Sequence, residues 1–196
     1  MTAGIGLPGF EAIDTILLDR DGVINQDSPD FIKSPEEWRP LPGSLEAIAR
    51  LSQAGYKIIV ISNQSGLARG LLDQKTLDAI HDKMLREVSC AGGHIEAIYY
   101  CPHGPDDDCP CRKPKPGLLH QFAADFHADL NRALLIGDSW RDVEAARAAG
   151  AKAVLVKTGK GQEALKQQPN PGIPVFDNLY QATYVLTKNK IPQPLS

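Results

Sequence analysis

The chain of 196 residues offers little to a membrane, a nucleic acid or a disulfide framework. No apolar run approaches the roughly 18 residues that a membrane-crossing helix requires. Twenty-one basic residues stand against 24 acidic ones, a formal net charge of -3, so the cationic excess that holds a polyphosphate backbone is missing. The opening "MTAGIGLPGFEAID" has no basic stretch followed by an apolar one, the pattern of a secretory signal. A cytoplasmic protein with a small-molecule partner and no nucleic acid or membrane partner is therefore expected, and a monomer. No GxxxxGK[ST] occurs to cradle a nucleoside triphosphate, and "GKGQEA" (159–164) reads as a surface turn before a helix. Repeats and low-complexity segments are also lacking. Cysteine is scarce at four, and three of them crowd into residues 101–111 with a histidine among them, a pattern that favours a metal over a disulfide. Cys90 stands apart and is expected to be a small buried hydrophobe.

What is present is an alternation. Apolar β-rich runs at 12–19, 56–62, 94–101, 132–138 and 151–159 alternate with helical patterns at 42–55, 73–90, 117–127 and 143–150. Asp73 reads as an N-cap, with Leu77, Ile80, Met84, Leu85 and Val88 recurring at helical spacing behind it. Strands too continuously apolar to be wetted on either face, each followed by a helix, predict an α/β fold: a doubly wound parallel sheet with right-handed crossovers. One domain is expected over 1–188, with "NKIPQPLS" (189–196) as a loose C-terminal tail. The stretch from Asn25 to Leu41 has no clear element of its own, and loops of such length in compact domains are usually functional.

In such sheets ligands bind beyond the carboxyl ends of the strands. There the sequence places Asp19 with Asp21, Ser62 with Asn63, the Cys101 loop leading to Lys113, and Asp138. A lone Asp after a strand usually caps a turn; carboxylate, hydroxyl and ammonium repeated at successive strand ends argue for chemistry instead. Asp19 and Asp21 lie at i and i+2 with Gly22 allowing a sharp turn, a pair able to share Mg2+ or to divide into nucleophile and proton carrier. Cys101, His103, Cys109 and Cys111 supply three thiolates and an imidazole. Such a set fills tetrahedral Zn2+ completely and leaves no position for an activated water, so a structural zinc is predicted.

"DRDGVIN", "VISNQSGLARG", "RKPKPG" and "IGDSWRD", in that order over residues 14–158, resemble the four motifs of the haloacid dehalogenase superfamily of phosphotransferases. The resemblance implies a Rossmann-like core without a cap domain. It further implies that Asp19 attacks a phosphate monoester and Asp21 carries the proton, with Ser62 and the amide of Asn63 binding phosphoryl oxygens and Lys113 supplying positive charge. Mg2+ would be held by Asp19, the backbone carbonyl of Asp21, and Asp138. Lys113 is preferred to Lys115 because the motif sets its lysine directly after an arginine. Asp142 either supports the metal site from behind or is a plain helix-start carboxylate. Ser139 stands where better-known relatives often carry Lys, and Phe31 where many carry Tyr.

Within the superfamily, the zinc loop, "SNQSGLARG" and "CRKPKPG" resemble the phosphatases of a sugar bisphosphate in a bacterial lipopolysaccharide-core route. Histidinol-phosphate phosphatases share the nucleophile motif and the loop. The same resemblance places Asp27, Ser28, Pro29 and Asp30, and Ser62, Asn63, Gln64 and Ser65, against the sugar, and Arg112 against the second anionic end. A guanidinium fork suits a phosphate better than an ammonium, which favours the phosphorylated sugar. The zinc loop is expected to hold Arg112 and Lys113 in place. The non-enzymatic alternative is a zinc-stabilised binding module whose acids only cap turns.

Overall fold

The computed structural model describes residues 9–188, 190 and 191. Six parallel strands, β1 (Thr15–Leu18), β2 (Lys57–Asn63), β3 (Ala97–Cys101), β4 (Ala133–Gly137), β5 (Lys152–Val156) and β6 (Val175–Phe176), form one sheet in the order β3-β2-β1-β4-β5-β6. Between them run α1 (Ser44–Gln53), α2 (Gln74–Cys90), α3 (Gly117–Phe126), α4 (Trp140–Ala148), α5 (Gly161–Gln167) and α6 (Leu179–Thr187). The doubly wound parallel sheet read from the sequence is the observed fold. The tail at 189–196 falls largely outside the described residues.

The strands' period of two sorts the interior into two cores. Ile16, Leu18, Ile58, Val60, Leu134, Ile136, Val154 and Val156 face α1, α2 and α6. Leu17, Ile59, Ile61, Leu135, Ala153 and Leu155 face α3, α4 and α5. With both faces covered, β1 and β4 are buried throughout and β2 in all but its end residues, which is why they read as continuous apolar runs.

Two helices illustrate how local chemistry sets the boundaries. Asp73 caps α2, its side chain accepting from Thr76 N–H at 2.8 Å. Ser139 opens α4 with a capping box: Asp142 Oδ2 accepts from the Ser139 amide at 3.1 Å and from its hydroxyl at 2.6 Å. One expectation fails nearby, and one pair of elements was not anticipated. Cys90 is exposed, because it follows the buried Val88 by two residues, about 200° around a helix, and so lies on the wetted face. The pair β6 and α6 had no counterpart in the sequence reading, which ended near residue 164, although Asn178 caps α6 through the Gln181 amide.

The order in which strands are added reverses between β1 and β4: β2 and β3 lie to one side of β1, and β5 and β6 lie beyond β4. The crevice outside β1 and β4 is thus the switch point of the sheet, and Asp19 and Asp138 stand at its two edges. The stretch 25–41 crosses beside it. The loop is pinned at its base by an antiparallel bridge between Asn25 and Pro40 and held from α2 by Lys83, whose ammonium donates to the carbonyls of Pro35 (2.8 Å) and Trp38 (2.9 Å).

Candidate active site

A cleft of about 340 Å³ opens at the switch point. Asp19, Asp21, Asp27, Ser28, Pro29, Asn63, Gln64, Ser65, Arg112, Lys113 and Asp138 line it, so five separate segments converge there. Two predicted residues do not. Ser62 is 1% exposed and its hydroxyl accepts from Gln64 Nε2 at 2.7 Å. The pleat explains this: Ile58, Val60 and Ser62 share one face of β2, turned toward the α1/α2 layer, while Asn63 takes the other. Asp30 is exposed outside the cleft, its carbonyl accepting from Lys33.

At the floor of the cleft Lys113 is 2% exposed, with its ammonium 3.0 Å from Asp19 Oδ1, 2.6 Å from Asp142 Oδ1 and 2.8 Å from the Ile61 carbonyl. Burial works against its charge, but Asp142 and Asp19 outweigh that and raise its pKa. Asp142 is likewise buried, yet Lys113 and Ser139 hold it below the usual carboxylate range. Asp142 meets both readings: one oxygen pairs with Lys113 on the floor of the cleft, and the other accepts from Ser139 in the capping box that opens α4. Lys115, by contrast, is half exposed and pairs with Asp108 outside the cleft. The Asn63 side chain brackets the backbone of Lys113, donating to its carbonyl and accepting from its amide, each at 3.1 Å.

Carboxylate oxygens of Asp19, Asp138 and Asp142 all lie within 4.8 Å of one another. Burial first, then mutual repulsion beyond what Lys113 offsets, pushes Asp19 up to about 8. Asp138 is pushed to about 7, by burial and the Asp142 charge. Three carboxylates against one ammonium leave two negative charges, the number a divalent cation carries, and hard oxygen donors are what Mg2+ selects. Since Asp142 is taken up by Lys113 and Ser139, Asp19 and Asp138 are the side chains that could hold it. Asp138 is steadied from the other side by the Lys160 amide at 2.8 Å. Gly22 and Gly159 adopt positive φ (83° and 53°), and a Cβ on either would collide with Asp138 Oδ2. Asp19 Oδ1 also accepts from the Arg20 amide at 2.7 Å, while among the described residues Oδ2 has no hydrogen-bond partner, a carboxylate oxygen left able to attack.

Asp21 is held differently. Partial burial would raise its carboxyl, but the Arg20 guanidinium and the amides of Asn25 and Gln64 overcome that and lower it. Arg20 itself is 1% exposed and grips Asp21 with Nε (3.2 Å to Oδ1) and Nη2 (2.9 Å to Oδ2). Asn25 Nδ2 donates to Oδ1 at 2.8 Å and Gln64 Nε2 to Oδ2 at 2.9 Å. Gln64 thereby serves Asp21 and Ser62 as well as lining the cleft. Arg20 and Lys160, which pairs with Asp27 at 2.9 Å, were missed by the sequence reading. Arg20 sits between two motif acids and reads as filler until its partners, distant in sequence, are known.

Beside the cleft the four candidate zinc ligands meet. The Cys101, Cys109 and Cys111 sulfurs are 3.2–3.5 Å apart and His103 Nδ1 is 3.3 Å from Cys111 Sγ. These separations exceed a disulfide bond by more than an ångström. They approach the edge of about 3.7 Å expected for a tetrahedron of thiolates around Zn2+. The link to the cleft is direct, because Arg112 Nη1 donates to the His103 carbonyl at 3.0 Å.

A family model described as HAD-hydrolase-like matches residues 110–182. The chain is 56% identical over 152 residues to the D-glycero-beta-D-manno-heptose-1,7-bisphosphate 7-phosphatase of Bordetella bronchiseptica, covering 78% of this chain and 85% of that protein. It is 52% identical over 164 residues to the enzyme of the same name from Pseudomonas aeruginosa, covering 84% and 92%. The crystal structure of the B. bronchiseptica D,D-heptose 1,7-bisphosphate phosphatase complexed with magnesium and phosphate superposes with a TM-score of 0.87 at 50% identity, over 90% of this chain and 99% of that one. An active-site cleft at the switch point and relatives of this identity and coverage lead to one conclusion: the chain belongs to the haloacid-dehalogenase-like family of D-glycero-beta-D-manno-heptose-1,7-bisphosphate 7-phosphatases.

Proposed function

We propose that this protein hydrolyses the 7-phosphate of D-glycero-D-manno-heptose 1,7-bisphosphate, on the route to lipopolysaccharide core, through an aspartyl phosphate. The observation that carries the chemistry is the floor of the cleft. There an unbonded oxygen of Asp19 lies beside a buried ammonium and a second carboxylate that together suit a phosphoryl group and Mg2+. Asp19 Oδ2 attacks phosphorus and the bond to the sugar oxygen breaks. That oxygen takes its proton from Asp21. Water then attacks the aspartyl phosphate, gives its proton to Asp21, and the Asp19–phosphorus bond breaks to release inorganic phosphate. Asp21 is ionised in the free protein, and an arriving phosphate dianion raises its proton affinity, so the acid form is loaded with the substrate.

Mg2+, bound by Asp19, Asp138 and the Asp21 carbonyl, supplies positive charge to the phosphoryl oxygens as they gain negative charge. Lys113 supplies the other share and, together with the cation, favours the ionised form of Asp19 that attacks. Cys101, His103, Cys109 and Cys111 would hold a structural zinc, which would fix His103 and, through the carbonyl that accepts from Arg112, set that guanidinium for the substrate's second phosphate. Phosphate release from both anomers of the heptose bisphosphate and from histidinol phosphate, measured side by side, tests the assignment. The relatives' names lead us to expect the β anomer to be preferred. A preference of about a hundredfold for histidinol phosphate, near 2.7 kcal/mol at the transition state, would reverse it.

A further inference from the structure

We propose that His81, on α2, is a positioning residue for leaving-group protonation, acting by holding the Arg20 guanidinium that orients Asp21; this rests on the hydrolytic reading above. Arg20 spends Nε and Nη2 on Asp21 and a further Nη2 contact on Gln64 Oε1 at 3.0 Å. Its Nη1 faces His81 Nε2 at 3.4 Å. A guanidinium has only donors, so His81 Nε2 must be the acceptor and the imidazole neutral, with its proton on Nδ1.

The surroundings enforce that state. His81 is 7% exposed, and burial together with the Arg20 charge pushes its pKa down to about 4. The ring packs at 5.6 Å, tilted, against Tyr100, whose hydroxyl donates to Gln74 Oε1 at 3.0 Å on the same helix. A neutral imidazole wedged between α2 and β3 thus seats a buried cation. Without the acceptor, Nη1 would be a buried donor left unpaired, and the fork could recover a partner only by turning about its own axis. That turn would carry Asp21 with it, and small misplacements of a proton donor cost rate steeply. Nothing in the haloacid dehalogenase motifs marks position 81; the residue is recognisable only as a polar side chain on the inward stripe of Leu77, Ile80, Met84 and Val88.

The role has a signature that a packing role lacks. A sugar alkoxide needs the proton of Asp21 to leave, whereas p-nitrophenolate departs without one. The comparison is made on kcat/KM, which reports formation of the aspartyl phosphate and excludes the later step in which Asp21 activates water for either substrate. His81→Phe, which keeps the ring and deletes the acceptor, is expected to lower kcat/KM about tenfold for the heptose bisphosphate and less than about threefold for p-nitrophenyl phosphate. His81→Gln, whose Oε1 reaches toward Nη1, should restore the sugar phosphate value to within about threefold of wild type. Should the phenylalanine fail to pack, His81→Leu gives the same pair of ratios. Equal losses on both substrates, no loss, or a folded glutamine variant no better than the apolar one would overturn the proposal. If the wild type ignores the heptose bisphosphate, the substrate assignment fails alone, and the ratio is read on whichever alkyl phosphate it does hydrolyse.

Discussion

Replacing Lys113 by methionine is the most informative single perturbation, since it keeps the stem of the side chain and deletes its charge. Three contacts vanish, to Asp19, Asp142 and the Ile61 carbonyl, all inside 3.0 Å and all on a side chain 2% exposed. Removing one partner of a buried ion pair costs roughly 3–5 kcal/mol, because the other charge is left unpaired. Here the low end applies, about 3 kcal/mol, since Asp19 is already pushed to about 8 and can take up a proton instead. For a chain of this length that corresponds to a fall in melting temperature of roughly 6–12 °C without added metal. Magnesium should recover more of the lost stability in the variant than it adds to the wild type, because the cation then faces three carboxylates with no competing ammonium. Activity should not follow stability: with the charge at the transferring phosphoryl group gone, kcat is expected to drop at least about a hundredfold at saturating Mg2+. Thermal melts in chelator and in Mg2+, paired with phosphate release, read all three quantities. A variant melting within about 2 °C of wild type in chelator would show that the pairs carry no net stability. One retaining a tenth of wild-type kcat would show that Lys113 does not serve the phosphoryl group.

Two further outcomes follow from other parts of the site. Stripping metal from the cysteine loop is expected to raise KM for the bisphosphate more than it lowers kcat, because Arg112 hangs on the His103 carbonyl while Lys113 keeps its own anchors on Asn63, Asp142 and Ile61; an equal fall in kcat alone would contradict this. His81 titrates near 6.5 when unfolded and about 4 when folded, so the unfolded chain binds its proton first. Its stabilising effect is full above pH 6.5 and lost as pH falls toward 4, about 3 kcal/mol in all, and denaturant melts of wild type against His81→Gln should converge across that window.

The strand ends were legible because burial on both faces turns the strands into apolar runs and polar residues at their tips then stand out. Asp19, Asp21, Lys113 and Asp138 were found that way and do meet in the cleft. Lys113 rather than Lys115 followed from order in a motif, and the structure adds the cause, a buried slot between two acids. What stayed hidden depends on pairing across long stretches of chain. Arg20 needs Gln64 and His81 to look like anything but a spacer, and Asp142 needs Lys113. Ser62 stands off the cleft lining for a local reason, since the pleat turns its side chain toward α1 and α2. Cys90 was misplaced because residue type was weighed over helical phase.

Gly22 and Gly159 touch around Asp138 with no room for a single added carbon. What backs Asp138 is therefore main chain, and substitution has almost nothing there to alter. Whatever diversity of substrate this architecture reaches must come from the outer rim, from Asp27, Arg112 and Lys160 on their loops. The phosphate end is common to every ester and can stay as it is. A carboxylate whose backing cannot be retuned, facing a rim that can, lets the handle be recognised once and the cargo be exchanged.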